Sequence, residues 1–387
     1  MKITNTLLII IVGGLFIFSG LIKLNDPMGT EIKLEEYFSV FSEDKTELGL
    51  SALKGFWEFL SPFSLHIAVF LSVLEVVLGV SLLLYYRPSS TLWTLLFTII
   101  FFTFLTFYSA YFDKVKDCGC FGDAIKLTPW QSFYKDLILL AMIVWLFFQR
   151  GKLELNRPIK FAGAITTVVS LASFVLALYA IWHLPPLDFL PYKIGANIPA
   201  NMKESAPLQY GKEVYTYTNK QTGKDEEFST EEYGKVWKTK LSDTTQYVFK
   251  KYDKPLLNPE ALPKITDYNV TDQDGNDVTQ STFEGDKLLV IIPDARKTDL
   301  RAVSLIKNLV KDPGNSKIKT MILTGSDYET FEAFRHEFQL SIPYYFADLK
   351  VLKTMIRSNP GLMLLRDGIV LNKWHANDIP AKGSLHE

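Results

Sequence analysis

Five long apolar runs dominate the first half of the chain, and the second half is polar. The runs cover residues 7–24, 63–86, 91–112, 129–148 and 159–182. Each approaches or exceeds the ~20 residues that a helix needs to cross the hydrocarbon layer. The pattern therefore predicts five membrane spans. The first is expected to be an uncleaved anchor, because no small-residue cleavage site follows it.

The polar stretch between the first two runs carries apolar residues at helical spacing. Such spacing predicts short amphipathic helices that lie on the membrane surface or over the bundle of spans. One set is Leu34, Tyr37, Phe38 and Phe41, and the other is Leu53, Phe56, Trp57 and Leu60.

Basic residues in the short loops predict the orientation. Arg87 lies between the second and third spans, and a basic cluster lies between the fourth and fifth. The positive-inside rule places both loops in the cytoplasm. The N-terminus is then cytoplasmic, and everything after residue 184 lies in the periplasm, which indicates a multi-pass protein of the inner membrane. The cluster consists of Arg150, Lys152, Arg157 and Lys160.

The polar half changes pattern twice. Residues 213–228 predict a hairpin and residues 245–252 another strand. From residue 287 onward, strands alternate with helices and end in a hairpin across Asp367-Gly368. Ser326 is expected to cap the helix that follows it. This alternation predicts an α/β domain, a central sheet covered by helices.

The predicted organisation has four parts. They are a four-span membrane bundle at 1–150, a fifth span and exit at 151–187, a β-rich linker region at 188–261, and the α/β domain at 262–387. The fold class is therefore an all-α membrane bundle with a fifth anchor span, followed by an extracytoplasmic α/β domain. The net charge of −1 over 387 residues argues against nucleic-acid binding. The predicted partner of the first half is the lipid bilayer.

The chain has two cysteines, Cys118 and Cys120, in the loop between the third and fourth spans. The orientation places this loop outside, where disulfides persist. Residues two apart can be close enough for a disulfide, with Gly119 relieving strain. The pair is a candidate for thiol–disulfide exchange if one sulfur is a reachable thiolate. A static bridge, ordinary thiols and metal ligands are the alternatives. Two cysteines make a poor zinc site, so no metal is assigned.

Ionisable residues also lie inside the spans. Glu75 falls near the centre of the second span, Lys23 near the outer end of the first, and Lys135 and Asp136 about two turns into the fourth. A charge at that depth costs ~2.5 kcal/mol or more unless it is neutral or paired. An ion pair of Glu75 with Lys23 or Lys135 would remove that cost. Glu75 is a candidate to carry protons released by the thiols, or a structural residue that locks the bundle.

The first 150 residues resemble the DoxX and MauE-like membrane proteins. The resemblance rests on residues 18–24 with Asp26-Pro27, on residues 75–79, on residues 117–123 with 127–130, and on Lys135-Asp136. It implies a four-helix membrane bundle. It also implies thiol or quinone redox chemistry, or a role in disulfide formation in exported proteins. Quinone is the cofactor that it suggests.

The C-terminal part looks like a thioredoxin-type domain of the membrane-tethered, TlpA-like sort. Residues 283–285 before one strand and Asn359-Pro360 before another match that family's entry segment and its cis-proline. The family's Cys-x-x-Cys is replaced by residues 294–299, which contain no cysteine. This domain therefore cannot carry out dithiol exchange.

The leading hypothesis is a membrane thiol–disulfide redox protein or accessory factor. Cys118 and Cys120 exchange electrons with a quinone or an envelope protein, Glu75 manages protons, and Lys23, Lys135 and Asp136 support it. The alternative is a non-catalytic, membrane-anchored binding module, whose thioredoxin-like domain binds an envelope protein near Pro360. A third hypothesis is a bundle that binds a small lipophilic molecule under a lid formed by Met28, Phe41 and Trp57.

Overall fold

The chain is a multi-pass membrane protein. The computed structural model describes residues 2–44, 48–115, 119–154, 159–311, 318–381 and 385. Within these residues, five helices are long and apolar enough to cross a membrane, and they coincide with the five predicted runs. The helices of the first half are α1 (Lys2–Asn25), α2 (Pro27–Ser42), α3 (Lys54–Leu60), α4 (Ser64–Leu83), α5 (Pro88–Phe112), α6 (Pro129–Phe148), α7 (Arg150–Glu154) and α8 (Ala162–Trp182).

Four of the five spans share one core. Apolar side chains of α1, α4, α5 and α6 meet in a single buried cluster, whereas α8 contributes to a smaller cluster with α1 and α4. Glycines let α1 and α4 approach closely, because a Cβ at Gly79 would lie 2.5 Å from the backbone oxygen of Gly13. Small residues serve this purpose in membranes, where dispersion contacts rather than hydrophobic exclusion hold helices together.

Helix α2 begins directly after α1 because Asp26 caps it and Pro27 occupies its first turn. The Asp26 carboxylate accepts a hydrogen bond from the Gly29 N–H at 2.9 Å. The four apolar residues predicted at helical spacing are buried on one face of α2, and they pack against α4 and α5. Of the second predicted set, Leu53 and Phe56 remain half exposed. Helix α2 therefore lies over the bundle.

The described chain divides into two compact units, one of residues 196–268 and one of the remainder. The smaller unit contains a three-stranded antiparallel sheet in the order β2-β1-β3, which includes the predicted hairpin. Tyr217, Leu241 and Tyr247 form its buried core. Its elements are α9 (Ile198–Asn201), β1 (Val214–Asn219), β2 (Asp225–Ser229), α10 (Thr230–Val236) and β3 (Tyr247–Asp253).

The C-terminal part of the larger unit, here called the sheet domain, is a mixed α/β structure. Its described strands form one sheet in the order β4-β7-β6-β5-β8-β9. Strands β5, β6 and β7 are parallel to one another, and β4, β8 and β9 pair antiparallel. Its elements are β4 (Val270–Thr271), β5 (Asp286–Ile292), α11 (Leu300–Val310), β6 (Lys319–Thr324), α12 (Tyr328–Glu337), β7 (Tyr344–Ala347), α13 (Leu349–Met355), β8 (Gly361–Arg366) and β9 (Ile369–His375).

Two local predictions in the sheet domain had different outcomes. Asp367 and Gly368 both have positive φ, 47° and 76°, as a two-residue hairpin turn of the predicted kind requires. The predicted cap Ser326 was wrong, since Asp327 caps α12 by accepting from the Thr330 N–H at 2.8 Å. The Ser326 hydroxyl instead accepts from the Ala295 N–H at 2.9 Å, so it is turned away from the helix.

A polar cluster joins α12 to β7. The Glu332 carboxylate accepts hydrogen bonds from the Arg335 guanidinium at 2.7 Å and the Tyr344 hydroxyl at 2.5 Å. These bonds stabilise the ionised carboxylate and lower the pKa of Glu332 to about 2. The cluster therefore favours folding most when Glu332 is charged.

Candidate functional site

The cysteine loop connects α5 to α6, and the structure describes its residues 113–115 and 119–128. Cys118 lies outside the described residues. A tight turn closes with a hydrogen bond from the Gly122 N–H to the Gly119 carbonyl at 3.0 Å. Both glycines have positive φ, 66° and 50°, which other residues rarely adopt. The turn therefore presents Cys120 in a defined conformation.

Helix α1 holds this loop from below. The Ser19 hydroxyl donates to the Cys120 carbonyl at 3.0 Å. The rings of Phe18 and Phe121 pack with their centroids 5.5 Å apart. These contacts place Cys120 against α1, about one turn before Lys23.

Cys120 and the buried charges line one cavity. Its walls include Gly119 and Cys120 from the loop, Lys23 from α1, Glu75 from α4 and Phe102 from α5. The cavity measures about 40 Å³. That volume holds about three water molecules at the 10–15 Å³ that each requires. Cys120 and the intramembrane carboxylate of Glu75 thus border the same small cavity, which is large enough for water.

Glu75 pairs with Lys23. The Lys23 Nζ lies 2.5 Å from Glu75 Oε1, and the two side chains are 8% and 2% exposed. The same ammonium lies 4.5 Å from the centroid of the Phe102 ring, a cation–π distance. Of the two partners considered from the sequence, the structure places Lys23 against Glu75. The ion pair removes most of the cost of burying either charge alone.

Lys135 pairs with its sequence neighbour instead. Its Nζ lies 2.5 Å from Asp136 Oδ1, and the second Asp136 oxygen accepts from the Thr106 hydroxyl at 3.0 Å. A second cavity, of about 20 Å³, is lined by Glu75, Lys135 and Asp136 together with Ser19. Glu75 therefore lines both cavities. The other described residues predicted for the site each line one of them: Lys23 and Cys120 the first, and Lys135 and Asp136 the second.

Two polar contacts near the loop were not predicted from the sequence. The Tyr108 hydroxyl on α5 donates to Asp44 Oδ1 at 2.8 Å, and both residues are buried. The second is Arg357, which follows α13 in the sheet domain and is 4% exposed. The Asp26-Pro27 start of α2 and Pro360 near Arg357 are visible in the sequence. No pattern in the sequence indicates that Arg357 and Asp26, which are 331 residues apart, form an ion pair.

Arg357 connects the sheet domain to the membrane half. Its Nε and Nη2 atoms lie 2.9 Å from Asp26 Oδ2, and Nη2 lies 3.4 Å from Asp123 Oδ2, in the cysteine loop. Burial opposes the charged form, but the Asp26 and Asp123 carboxylates outweigh it, so the pKa of Arg357 is raised. The guanidinium therefore stays charged between two acids.

A cleft of about 390 Å³ lies between α2 and the sheet domain. Met28 and Glu31 line it on one side, and the segments 293–297 and 356–359 line it on the other. Burial, and then the nearby Glu35, raise the pKa of Glu31. At the rim, Lys350 pairs with Glu36 at 3.3 Å. The cleft is lined in part by the segment that begins at Asp294, where thioredoxin-type domains carry Cys-x-x-Cys and this chain has no cysteine.

The peptide bond between Asn359 and Pro360 is cis. The Asn359 side chain donates to the Asp294 carbonyl at 2.7 Å, which ties the two segments together. The proposed lid residues do not come together: Phe41 and Trp57 have ring centroids 5.1 Å apart, but Met28 lies at the cleft. The residues of α2 that line the cavity beside Cys120 are Thr30, Lys33, Leu34 and Tyr37.

The comparisons with known proteins support the membrane half. Residues 1–149 match the family described as methylamine utilisation protein MauE. The expected MauE-like membrane part is therefore confirmed. The protein named Protein TlpB of Flavobacterium psychrophilum is 29% identical to this chain over 128 residues, which are 32% of this chain and 34% of that protein. The match thus spans about a third of the length of this relative. No solved structure matches the chain.

Proposed function

We propose that this chain is an inner-membrane thiol–disulfide redox protein or accessory factor, with Cys118 and Cys120 as its redox pair. The observation that carries the proposal is that Cys120 and the buried Lys23–Glu75 ion pair line one cavity. Intramembrane ionisable residues usually mark proton or substrate pathways. The cavity offers such a pathway next to a thiol.

The partner in this exchange is a protein disulfide. One cysteine thiolate attacks a sulfur of the partner disulfide, and a mixed disulfide forms as the partner's other thiolate leaves. The second cysteine then attacks the mixed disulfide and releases the partner as a dithiol. Two electrons and two protons pass to the partner, and Cys118 and Cys120 become joined. The reverse sequence oxidises the partner.

Glu75 is the proton acceptor of this scheme. A cysteine must lose its proton before it attacks, and the Glu75 carboxylate lines the same cavity as Cys120. Lys23 fixes the position of the Glu75 carboxylate through the 2.5 Å contact. Lys135 and Asp136 extend the polar region away from the loop.

The cavity beside Cys120 measures about 40 Å³, which is smaller than the apolar cavity of ~150 Å³ that binds a benzene ring. No step is therefore assigned to a quinone.

The sheet domain is proposed to be thioredoxin-like and extracytoplasmic. Its order of strands, with three parallel strands at the centre, and the cis-proline before β8 support this assignment. The segment that would carry Cys-x-x-Cys contains none. We therefore assign the thiol chemistry to the membrane half and not to this domain.

A binding module anchored in the membrane is the second candidate. The cleft of about 390 Å³ beside Asn359 favours it, since this space could receive a segment of an envelope protein. The two candidates differ in whether Cys118 and Cys120 change oxidation state.

Thiol trapping tests the leading proposal. The full chain in mild detergent is equilibrated with mixtures of glutathione and glutathione disulfide, quenched with acid and labelled with a mass-tagged maleimide. We expect the pair to titrate as a two-electron couple, and C118S or C120S to abolish exchange. E75Q should slow the exchange, while E58Q, which alters an exposed carboxylate paired with Lys54, should not. A pair that never changes state, in a protein that crosslinks to a partner at the cleft, supports the binding module instead.

A further inference from the structure

Arg357 contacts two segments of the membrane half that are far apart in sequence. One is the start of α2, where the Asp26 carboxylate accepts hydrogen bonds from the guanidinium at 2.9 and 3.1 Å. The other is the cysteine loop, where Asp123, three residues after Cys120, lies 3.4 Å from Nη2. A planar guanidinium can serve two carboxylates in this way because its donors point in fixed, divergent directions.

The surroundings are shaped to receive this side chain. A Cβ at Gly29 would lie 2.5 Å from Asp26 Oδ2 and 3.1 Å from Arg357 Nη2, so a larger residue would displace the ion pair. Nη1 donates to the Lys353 carbonyl at 2.5 Å, which fixes the guanidinium to the end of α13. Arg357 is thus held rigidly by its own domain while it contacts the loop.

Other contacts hold the sheet domain in place without Arg357. Lys373 on β9, 3% exposed, pairs with Asp188 at 2.7 Å. Asp188 lies in the exit segment after α8, and the Asn25 side chain of α1 holds this segment through hydrogen bonds with both backbone groups of Leu187, at 2.7 and 2.9 Å. Loss of Arg357 should therefore release the cysteine loop without detaching the domain.

We propose that Arg357 is a positioning residue that fixes the cysteine loop, so that the cysteine-free sheet domain controls how Cys120 is presented to a partner disulfide. This inference rests on the proposed function for its purpose, but the position of the loop can be measured independently. The sheet domain is then a fixed cover that orients the redox loop.

The experiment measures how fast Cys120 reacts with a membrane-impermeant maleimide. It uses the full chain carrying C118S, so that Cys120 alone reports. R357Q removes the guanidinium charge, D123N removes the charge of the carboxylate that Arg357 contacts in the loop, and R357K supplies a single point charge that cannot bridge both acids. K350Q is the matched control, because Lys350 joins the same two parts of the molecule through an exposed pair with Glu36.

We expect R357Q and D123N to raise the reaction rate of Cys120 about fivefold. A change of this size is expected when the local structure of the cysteine loop is destabilised by a small part of the protein's total stability. R357K should give an intermediate rate, and K350Q should match the parent protein. With both cysteines present, R357Q should also shift the glutathione equilibrium of the pair, whereas K350Q should not.

An unchanged rate in D123N would overturn the proposal, even if R357Q failed to fold. Equal effects of R357Q and K350Q would do the same, because they would indicate general loosening between the two parts. If the wild-type pair does not titrate with glutathione, the proposed function fails, yet the Cys120 rates still decide whether Arg357 positions the loop.

Discussion

The Lys23–Glu75 ion pair allows structural and functional roles to be separated by a double-mutant cycle. The perturbations are K23M, E75M and the double variant K23M/E75M. Methionine is unbranched and similar in size to both residues, so it fills their space without adding charge. The matched control is the cycle K54M, E58M and K54M/E58M at the exposed pair, whose atoms lie 3.6 Å apart.

The magnitude follows from burial. Removing one partner of a buried pair leaves an uncompensated charge, which costs about 3–5 kcal/mol, whereas replacing both partners with apolar groups is neutral or stabilising. A stranded glutamate can escape by taking a proton, at about 3.7 kcal/mol at pH 7. We therefore expect K23M to lose about 3–4 kcal/mol and K23M/E75M to recover nearly all of it. The exposed control pair should change stability by less than about 1 kcal/mol.

Stability is measured by denaturant titration in mild detergent, and activity by the rate of exchange with glutathione disulfide. The double variant should be stable but exchange about 100-fold more slowly, the size of effect that proton transfer by a positioned side chain contributes. A stable double variant with wild-type exchange would show that the pair only holds the bundle together. A loss in K23M no larger than in K54M would refute the burial reasoning itself.

Three further predictions concern other parts of the molecule. G79A should lower the free energy of unfolding by about 1–3 kcal/mol, because its Cβ would overpack against Gly13. G14A is the control, since a Cβ there meets no atom within 4 Å, and thermal unfolding in detergent compares the two variants. The lowered pKa of Glu332 means that its contribution to stability is present above about pH 4.5 and is lost as the pH falls toward 2. E332Q should therefore flatten the acid-unfolding profile in that window, and a profile parallel to wild type would contradict this. N25A should speed proteolysis of the exit segment after α8, because its backbone loses two hydrogen bonds; an unchanged cleavage rate would argue against that anchoring role.

Local sequence patterns were sufficient to predict the spans and the terminal hairpin. The five spans could be predicted because a helix must satisfy its backbone within itself in lipid, so length and apolarity are decisive. The Asp367-Gly368 hairpin could be predicted because its two-residue turn needs two positive φ angles, which an Asp-Gly pair adopts readily. The cap of α12 was missed because Ser326 and Asp327 are both good cap residues, and a tertiary hydrogen bond to Ala295 decided between them.

The sequence by itself determined where the helices and strands form and that charges lie within the spans, since these depend on composition and on spacing along one element. Only the tertiary structure decided which charges meet. Glu75 could have paired with Lys23 or Lys135, and the packing of α1 on α4 placed it with Lys23. Arg357 meets Asp26 and Asp123 because the sheet domain lies over the cysteine loop. Ion pairs between distant segments depend on distances of a few ångströms, which no local pattern encodes.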